Sequence, residues 1–402
     1  MAHAHVVKAA TLAADRQRPL ERVALYGVPI ALCLWWFGPV LYRMTDLGDF
    51  PGHIRFAQAM AATGRVTIPH FGYELAMIAV HALRPGAGWN SAAYVVTMSG
   101  QLATVALLAH WMAASVPGWG PGARIGLAAF GAFALLLVQP ALPLGAARDP
   151  WLFGYFPPNQ YHNPTTLLSK PLALALFAAG AAAVSGAPAG RLWGWLALVV
   201  ASGIVKPSFL LAFLPAVGLI ALWHWRVARW WLLVGGLFVP SVLLLLAQYA
   251  LRYLLQADDG VRVTVAPLMV IGLYAPTDAL SLVTRLALSV LFPLSVVAAF
   301  PQEAARDIRL PLAWLTFALG IVPGYLLAEG GGKASAGDFL WSGQLACFVL
   351  FAVSAAFLAA RLGDAVERPF RAGTLARAAA CGAVLAWHAV SGVQHLQRSW
   401  LA

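Results

Sequence analysis

Two carboxylates and a histidine fall within nine residues in the segment DLGDFPGHI, residues 46–54. A carboxylate can act as a general base, because it can take the proton of a hydroxyl group that attacks another molecule. His53 stands one helical turn after Asp49, where it can orient or polarise that carboxylate. We therefore predict Asp49 as the catalytic base, with Asp46 as the alternative acid and His53 as the supporting residue.

A second polar segment, GAARDPWLFGYFPPNQYHNPTTLLSK, covers residues 145–170, and VKPS adds a lysine between two short apolar runs. Cations, amides and imidazoles are the groups that hold a phosphate as it takes up negative charge. The two segments therefore predict a site for a phosphate group. Its candidate residues are Arg148, Asn159, Gln160, His162, Asn163, Lys170 and Lys206.

Other polar side chains lie between the later apolar runs or close to their ends. A charge at membrane depth costs about 2.5–3.5 kcal/mol on insertion scales, so a retained set of such groups indicates a cavity or a substrate path. We treat these residues as further candidates for the same site: His70, Glu74, Tyr253, Arg285, Glu329, Lys333 and Asp338.

Each of these groups also has a purely structural explanation. Asp46 or Asp49 can cap a helix that begins near Pro51, and the two lysines can extend along the bilayer to reach head groups. Asp49 and His53 with a third ligand can bind a divalent metal, although the sequence offers an incomplete ligand set. No cofactor is therefore certain, and a divalent metal remains an alternative.

The composition of the chain is that of a membrane protein. Of its 402 residues 61% are hydrophobic and 10% are charged, and the mean hydropathy is +0.76. Apolar runs near 20 residues recur without a polar linker, which predicts a single all-α integral membrane domain over residues 1–402. We expect no cleavable signal peptide, and free thiols at the three cysteines, which all lie in apolar runs. The net charge of +11 is more typical of topology signals than of nucleic-acid binding.

Eleven apolar segments can form transmembrane helices. They cover residues 23–42, 92–115, 124–144, 165–186, 191–205, 208–223, 230–252, 280–300, 310–328, 339–361 and 376–395. With a cytoplasmic amino terminus, the cytoplasmic parts carry a net charge of +8 and the outer parts +3. This asymmetry agrees with the positive-inside rule. We therefore predict a bundle of about 11 transmembrane helices, with the polar candidates gathered at the outer face.

The segment HFGYELAMIAVHAL, residues 70–83, is apolar but short. As a helix it would span about 21 Å, which is less than the hydrocarbon core of roughly 30 Å. We place it at the membrane surface, as the second of two interfacial helices in the first outer loop, after HIRFAQAMAATG. A tilted transmembrane helix is the alternative.

The order of these features resembles the GT-C class of integral membrane glycosyltransferases. The resemblance rests on DLGDFPGHI in the first outer loop and on NQYHNPT, SKP and VKPSF later in the chain. It covers about residues 1–225, and residues 226–402 would form a variable transmembrane half. It implies a polyprenyl-phosphate sugar as donor, inverting transfer and an acidic base in the first loop. Many members have Asp-x-Asp or adjacent acids, whereas this chain has Asp-x-x-Asp, which leaves open which acid is the base.

Two other functions fit parts of the sequence. A polysaccharide ligase or polymerase that uses pyrophosphate-linked glycans would need a large late outer loop, and no late loop here exceeds about thirty residues. A lipid-linked sugar transporter or flippase would show internal repeats and charges at mid-membrane, and Arg285 alone points that way.

We therefore predict a multi-pass glycosyltransferase of a bacterial-type inner (plasma) membrane, with a cytoplasmic amino terminus. Its partners would be a polyprenyl-phosphate-linked sugar, a glycan, lipid or protein acceptor and membrane lipids, and not nucleic acid.

Overall fold

The computed structural model describes residues 2–66, 68–143, 151–255, 262–333, 335–367 and 372–400, with side chains from residue 19 onward. Most of these residues are helical. The first eight helices are α1 Ala2–Met44, α2 Phe50–Thr63, α3 Gly72–Leu83, α4 Gly88–Ala114, α5 Pro121–Leu137, α6 Pro164–Val184, α7 Leu192–Val205 and α8 Ser208–Trp223. The others are α9 Trp230–Leu232, α10 Val239–Tyr249, α11 Met269–Tyr274, α12 Ala279–Ser289, α13 Leu291–Ala299, α14 Pro301–Arg306, α15 Arg309–Leu326, α16 Leu340–Glu367 and α17 Ala372–His395. Wider π-helical turns occupy Leu233–Phe238, Ala250–Leu255 and Leu396–Trp400.

Six helical stretches in the described part of the chain are long and apolar enough to cross a membrane. They are Pro19–Met44, Gly88–Ala114, Pro164–Val184, Trp230–Leu254, Arg309–Leu326 and Leu340–Val366, and the bent pair α12–α13 can supply a seventh. The predicted all-α bundle of a multi-pass membrane protein is thereby confirmed. The count of eleven stays a prediction, because α5, α7 and α8 are apolar but have only 17, 14 and 16 residues.

The central helix of the bundle is α16. In its apolar stretch 83% of the residues are buried, against 28% in that of α1. It packs against α8, α15 and α6, and its residues from Leu345 to Ala352 are all fully buried. The first turns of α16 therefore lie in the middle of one end of the bundle, where they can form the floor of a site.

Helix α5 ends earlier than the predicted apolar segment 124–144. It stops at Leu137, because Pro140 and Pro143 cannot continue a helix and disfavour it in the residues before them. The extended chain that follows lies along α17, and the backbone N–H of Gln139 donates to the carbonyl of His388 at 3.0 Å.

The predicted segment 280–300 is also broken, into α12 and α13, which meet at an angle of 73°. The backbone groups freed by the bend find partners within the protein. The N–H of Phe292 donates to the Nε2 atom of His388 at 3.2 Å, and the carbonyl of Leu288 accepts from the N–H of Ala141 at 2.9 Å. Such pairing allows irregular backbone in a helical membrane bundle.

The two short helices predicted after α1 are present as α2 and α3. Tyr73 of α3 binds α4 through its hydroxyl, which donates to the carbonyl of Ala93 at 3.1 Å and contacts the Thr97 hydroxyl at 2.9 Å. These bonds hold α3 firmly against the bundle. Its position at a membrane surface stays a prediction.

Two short strands join parts of the chain that are far apart in sequence. Strand β1, Val263–Val265, pairs antiparallel with β2, Leu327–Glu329, with Thr264 opposite Ala328. The pairing fixes the start of the loop 330–339, which leads into α16. That loop therefore lies over the same end of the bundle as the first turns of α16.

Candidate active site

A cavity of about 670 Å³ lies at this end of the bundle, between α2, the start of α6, the α7–α8 turn and α16. Segments that are far apart in sequence contribute to its wall, so the tertiary fold assembles the site. Eight of the predicted candidates line it: Asp49, His53, His70, His162, Asn163, Lys206, Lys333 and Asp338.

Asp49 lies just before α2, half-buried, and its side chain makes no capping hydrogen bond to that helix. Its Oδ2 atom instead accepts a hydrogen bond of 2.7 Å from the Nδ2 atom of Asn163. Its backbone N–H donates to the carbonyl of His162 at 3.0 Å. The capping explanation is therefore wrong for this side chain, whose carboxylate is directed into the cavity.

Gly48 allows the two loops to approach this closely. It has φ +58°, and a Cβ atom there would lie 2.7 Å from the Cβ of His162. Any larger residue would be strained and would push the two loops apart. The contact between the acidic segment and the start of α6 thus depends on a residue without a side chain.

Asn163 connects three parts of the site. Its Oδ1 atom caps α6 by accepting from the backbone N–H of Thr166 at 2.9 Å, and its Nδ2 atom holds Asp49. The same oxygen also accepts from the Thr165 hydroxyl at 2.7 Å and from the Nζ atom of Lys206 at 3.4 Å. One amide therefore fixes a carboxylate, a cation and a helix end relative to one another.

Lys206 lies in the turn between α7 and α8, with only 5% of its surface exposed. Its Nζ atom donates to the Thr165 hydroxyl at 3.0 Å and lies 4.3 Å from the ring centre of Trp341. Burial lowers the pKa of Lys206 to about 8, although Asp338 and Asp49 act in the opposite direction. The lysine is thus mainly charged at pH 7, and none of the described carboxylates is bonded directly to it, which suits it to bind an anion.

His53 pairs with Glu74 and not, as the sequence predicted, with Asp49. The Nδ1 atom of His53 lies 2.5 Å from Oε1 of Glu74, whose side chain is completely buried. The His53 ring also packs against Tyr73, with ring centres 5.6 Å apart. Glu74 does not line the cavity itself, and it acts there only through the histidine.

The other two histidines of the cavity are neutral near pH 7. Burial lowers the pKa of His162 to about 4, although the charge of Asp49 opposes this effect. Burial, together with the charge of Lys206, lowers the pKa of His70 to about 3. They can therefore offer hydrogen bonds to a ligand, but no positive charge.

The loop before α16 brings a second cation to the cavity. The Nζ atom of Lys333 lies 3.4 Å from Oδ2 of Asp338, and both side chains are about half exposed. Burial acts to raise the pKa of Asp338, but the charge of Lys333 together with Glu329, Lys206 and Trp341 outweighs it, and the net shift of the pKa is downward. Lys333 is thus a charged group on a loop at the mouth of the cavity.

Several predicted residues lie outside the cavity. Asp46 is exposed, and its Oδ1 atom accepts from Asn90 at 2.7 Å. Tyr253 donates to Glu329 at 2.6 Å, and burial raises the pKa of that carboxyl group. Arg285 donates to the carbonyl of Pro276 at 2.7 Å.

The remaining candidates near α6 form hydrogen bonds within the protein or lie outside the described residues. Lys170 is fully buried within the bundle, where it binds the side-chain oxygen of Asn159 and lies 4.7 Å from the ring centre of Phe348. Gln160 binds the carbonyl of Pro157. Arg148 lies outside the described residues.

Sequence reasoning missed several residues of the site, and three of them bear directly on its charges. Trp341 lies beneath Lys206, Thr165 binds the same lysine, and Arg55 stands exposed at the cavity rim. Thr165 directly follows the NP pair that begins α6, and Trp341 follows Asp338 closely. Their nearness to predicted polar residues was the available signal in the sequence.

A second cavity, of about 550 Å³, lies between the far ends of α4, α6 and α16. It is lined largely by small apolar residues and contains none of the predicted candidates. Among the described residues, no three or more His, Cys, Asp or Glu side chains are grouped so as to hold a metal ion. The Asp49–His53 pair therefore finds no third ligand in that part of the chain.

No protein-family model, no curated protein and no solved structure matches the chain.

Proposed function

We propose that the protein is a membrane glycosyltransferase that moves a sugar from a polyprenyl-phosphate donor to a hydroxyl group of a glycan, lipid or protein acceptor. One observation carries the proposal: a carboxylate held by an amide faces the same cavity as two lysines, at one end of an apolar helical bundle. A base for a hydroxyl and cations for a phosphate are the two requirements of this transfer.

Asp49 is the base in this proposal. It takes the proton of the acceptor hydroxyl while that oxygen forms a bond to the anomeric carbon of the sugar. The bond between this carbon and the phosphate oxygen breaks, and its electron pair remains on the phosphate. Attack from the side opposite the phosphate inverts the anomeric carbon, as the resemblance to the GT-C class implies.

Lys206 and Lys333 bind the phosphate in this scheme. Lys206 is fixed by Thr165 and Asn163 within the wall, whereas Lys333 lies on the loop above the cavity. The neutral histidines His70 and His162 supply hydrogen bonds. The apolar flanks of the bundle provide a surface for the lipid tail, and we place the site on the outer face of a bacterial-type inner membrane.

A transporter of lipid-linked sugars is the second candidate, because α12 and α13 form a broken helix with Arg285 nearby. Broken helices often mark transport sites. The two functions differ in their products. A transporter moves the intact donor, whereas a transferase releases polyprenyl phosphate and leaves the sugar on an acceptor.

The test uses the purified protein in detergent or lipid vesicles, with polyprenyl-phosphate donors that carry different radiolabelled sugars. We expect the label to pass from one donor to an acceptor fraction and an equal amount of polyprenyl phosphate to appear. Asp49→Asn should abolish both signals. Movement of intact donor across the vesicle membrane, without release of polyprenyl phosphate, would contradict the proposal and support transport.

A further inference from the structure

The contact between His53 and Glu74 sets the chemistry of the histidine ring. A carboxylate can only accept a hydrogen bond, so the Nδ1 atom of His53 carries the hydrogen that Glu74 receives over 2.5 Å. In the neutral ring, the Nε2 atom then has the free lone pair. Because the ring lines the cavity and Nδ1 is engaged, Nε2 is the nitrogen that can take up a proton there.

The two partners are held in place from several sides. Glu74 is fully buried, and its Oε2 atom has no hydrogen-bond partner among the described residues. The charge of Glu74 is therefore compensated chiefly through His53, and protonation of the ring would complete that compensation. Tyr73 and Phe56 surround the ring, with ring centres 5.6 and 6.3 Å from it.

His53 also stands directly beside the proposed base. Its backbone N–H donates to the carbonyl of Asp49 at 3.1 Å, in the first turn of α2, and both side chains line the same cavity. The carboxylate held by Asn163 and the imidazole held by Glu74 therefore share one cavity. The imidazole is backed by a buried carboxylate, which fixes the orientation of its ring, as in other histidine–carboxylate pairs.

We propose that His53 is the final proton acceptor of the reaction and that Glu74 is its positioning residue. This inference rests on the glycosyl transfer proposed above. The acceptor hydroxyl loses its proton to Asp49 as the new C–O bond forms and the C–O bond to the phosphate breaks. Asp49 passes the proton across the shared cavity to Nε2 of His53. The imidazolium is held by Glu74 until the products leave, and it then releases the proton to water.

The first experiment removes the ring and supplies it again from solution. His53→Ala opens a space of imidazole size next to the cavity. We expect the turnover number to fall by about 100-fold, in the range typical for loss of an acid–base group. Added imidazole should raise the turnover number of His53→Ala at least about tenfold. It should not raise the turnover number of Asp49→Asn. Failure of imidazole to raise the activity of His53→Ala would overturn the proposal.

The second experiment reverses the hydrogen bond to the ring. In Glu74→Gln the amide NH₂ can donate a hydrogen bond to Nδ1. The hydrogen of the neutral ring is then on Nε2, which can no longer accept a proton from the cavity. We expect kcat to fall at least about tenfold, with an unchanged donor KM, and no rescue by imidazole because the ring still fills its place. An unchanged kcat would contradict the role of Glu74.

The controls separate this inference from the proposed function. His81→Ala changes a histidine of the same helix as Glu74, which stacks on Trp89 outside the cavity, and its turnover should stay near that of the wild type. Thermal denaturation shows whether each variant is folded. If the wild type transfers no sugar, the proposed function has failed. If the wild type is active and Asp49→Asn is not, while His53→Ala is fully active, only the proton acceptor has been misassigned.

Discussion

At the scale of single residues, Asp49 and Asp46 are held very differently. Asn163 holds Asp49 within the cavity wall, whereas Asp46 is exposed and binds Asn90 of α4. We expect Asp49→Asn to lower turnover by at least about 100-fold without loss of folding, because a general base is worth about 10²–10⁴ in rate. Asp46→Asn should lower it less than about tenfold. If Asp46→Asn is inactive and Asp49→Asn is active in the same transfer assay, Asp46 and not Asp49 is the general base.

The pKa of Lys206 predicts how the affinity for the donor depends on pH. Its pKa, lowered to about 8 by burial, means that the free protein loses this positive charge as the pH rises through about 8. The phosphodiester of the donor keeps its single charge over this range, so the donor affinity should be highest below pH 8 and fall above it. Titration of donor binding from pH 6 to 10 measures this.

Lys206→Arg is the matched variant for that titration, because a guanidinium stays charged throughout the range. Its donor affinity should remain constant where that of the wild type declines. A parallel decline in both proteins would show that another group controls the pH dependence. Lys206→Ala should bind the donor about ten- to a hundred-fold more weakly at pH 7.

Lys170 and Lys206 were both predicted to bind phosphate, and the structure places them in different environments. Lys206 lines the cavity, whereas Lys170 is buried against Asn159 and Phe348. The sequence shows that two costly charges are retained near one membrane boundary. It does not show which side of α6 faces the cavity and which faces the protein interior, because that depends on how α6 packs against α16.

At the scale of elements, the close contact between α17 and the end of α5 depends on Gly392. A Cβ atom at this position would lie 1.5 Å from the carbonyl oxygen of Leu137. Gly392→Ala should therefore displace α17 and lower the free energy of unfolding by about 2 kcal/mol or more. Gly382→Ala, in the same helix with nothing within 4 Å of its Cβ position, should stabilise by up to about 1 kcal/mol. Thermal denaturation in detergent compares the two, and equal midpoints would contradict the contact.

The two broken helices differ in how far sequence could predict them. The end of α5 at Leu137 has a visible cause in Pro140 and Pro143, and the prediction of a span to residue 144 gave these prolines too little weight. The bend between α12 and α13 also has a local signal in Pro293, which cannot donate a hydrogen bond to the carbonyl of Ser289, but a proline does not specify an angle of 73°. Its free N–H group is satisfied by His388, 96 residues later, so the bend depends on a tertiary partner.

At the scale of the whole molecule, the proposed orientation places the cavity outside and the opposite end of the bundle in the cytoplasm. Lys333 stands exposed at the cavity mouth, and Arg226 stands exposed beyond the far end of α8. α8 begins beside Lys206, and its 16 residues extend about 24 Å. A cysteine at 333 should therefore react with an impermeant reagent in whole cells, and one at 226 only after permeabilisation.

The three native cysteines, Cys33, Cys347 and Cys381, are all buried, so background labelling should be low. Equal reaction at positions 333 and 226 in whole cells would contradict a sided bundle. Reaction at 226 alone would invert the orientation and place the cavity in the cytoplasm, against the charge asymmetry of the sequence.

Composition and apolar periodicity were sufficient to predict a helical membrane bundle, since they depend on the chain as a whole. The acidic segment and the start of α6 were also recognisable as polar sites. Their contact through Gly48 and Asn163, and the pairing of His53 with Glu74 across 21 residues, were not predictable. Such contacts depend on the packing of helices, which local spacing does not specify.

Asn163 has a consequence for how such a protein can change over generations. The same amide caps α6, holds Asp49 and binds Lys206, so a single substitution there affects folding, the base and the cation together. A lineage cannot adjust one of these properties at this position without altering the other two. New substrate preferences should therefore arise more readily at Lys333, whose exposed side chain pairs with Asp338 and caps no helix.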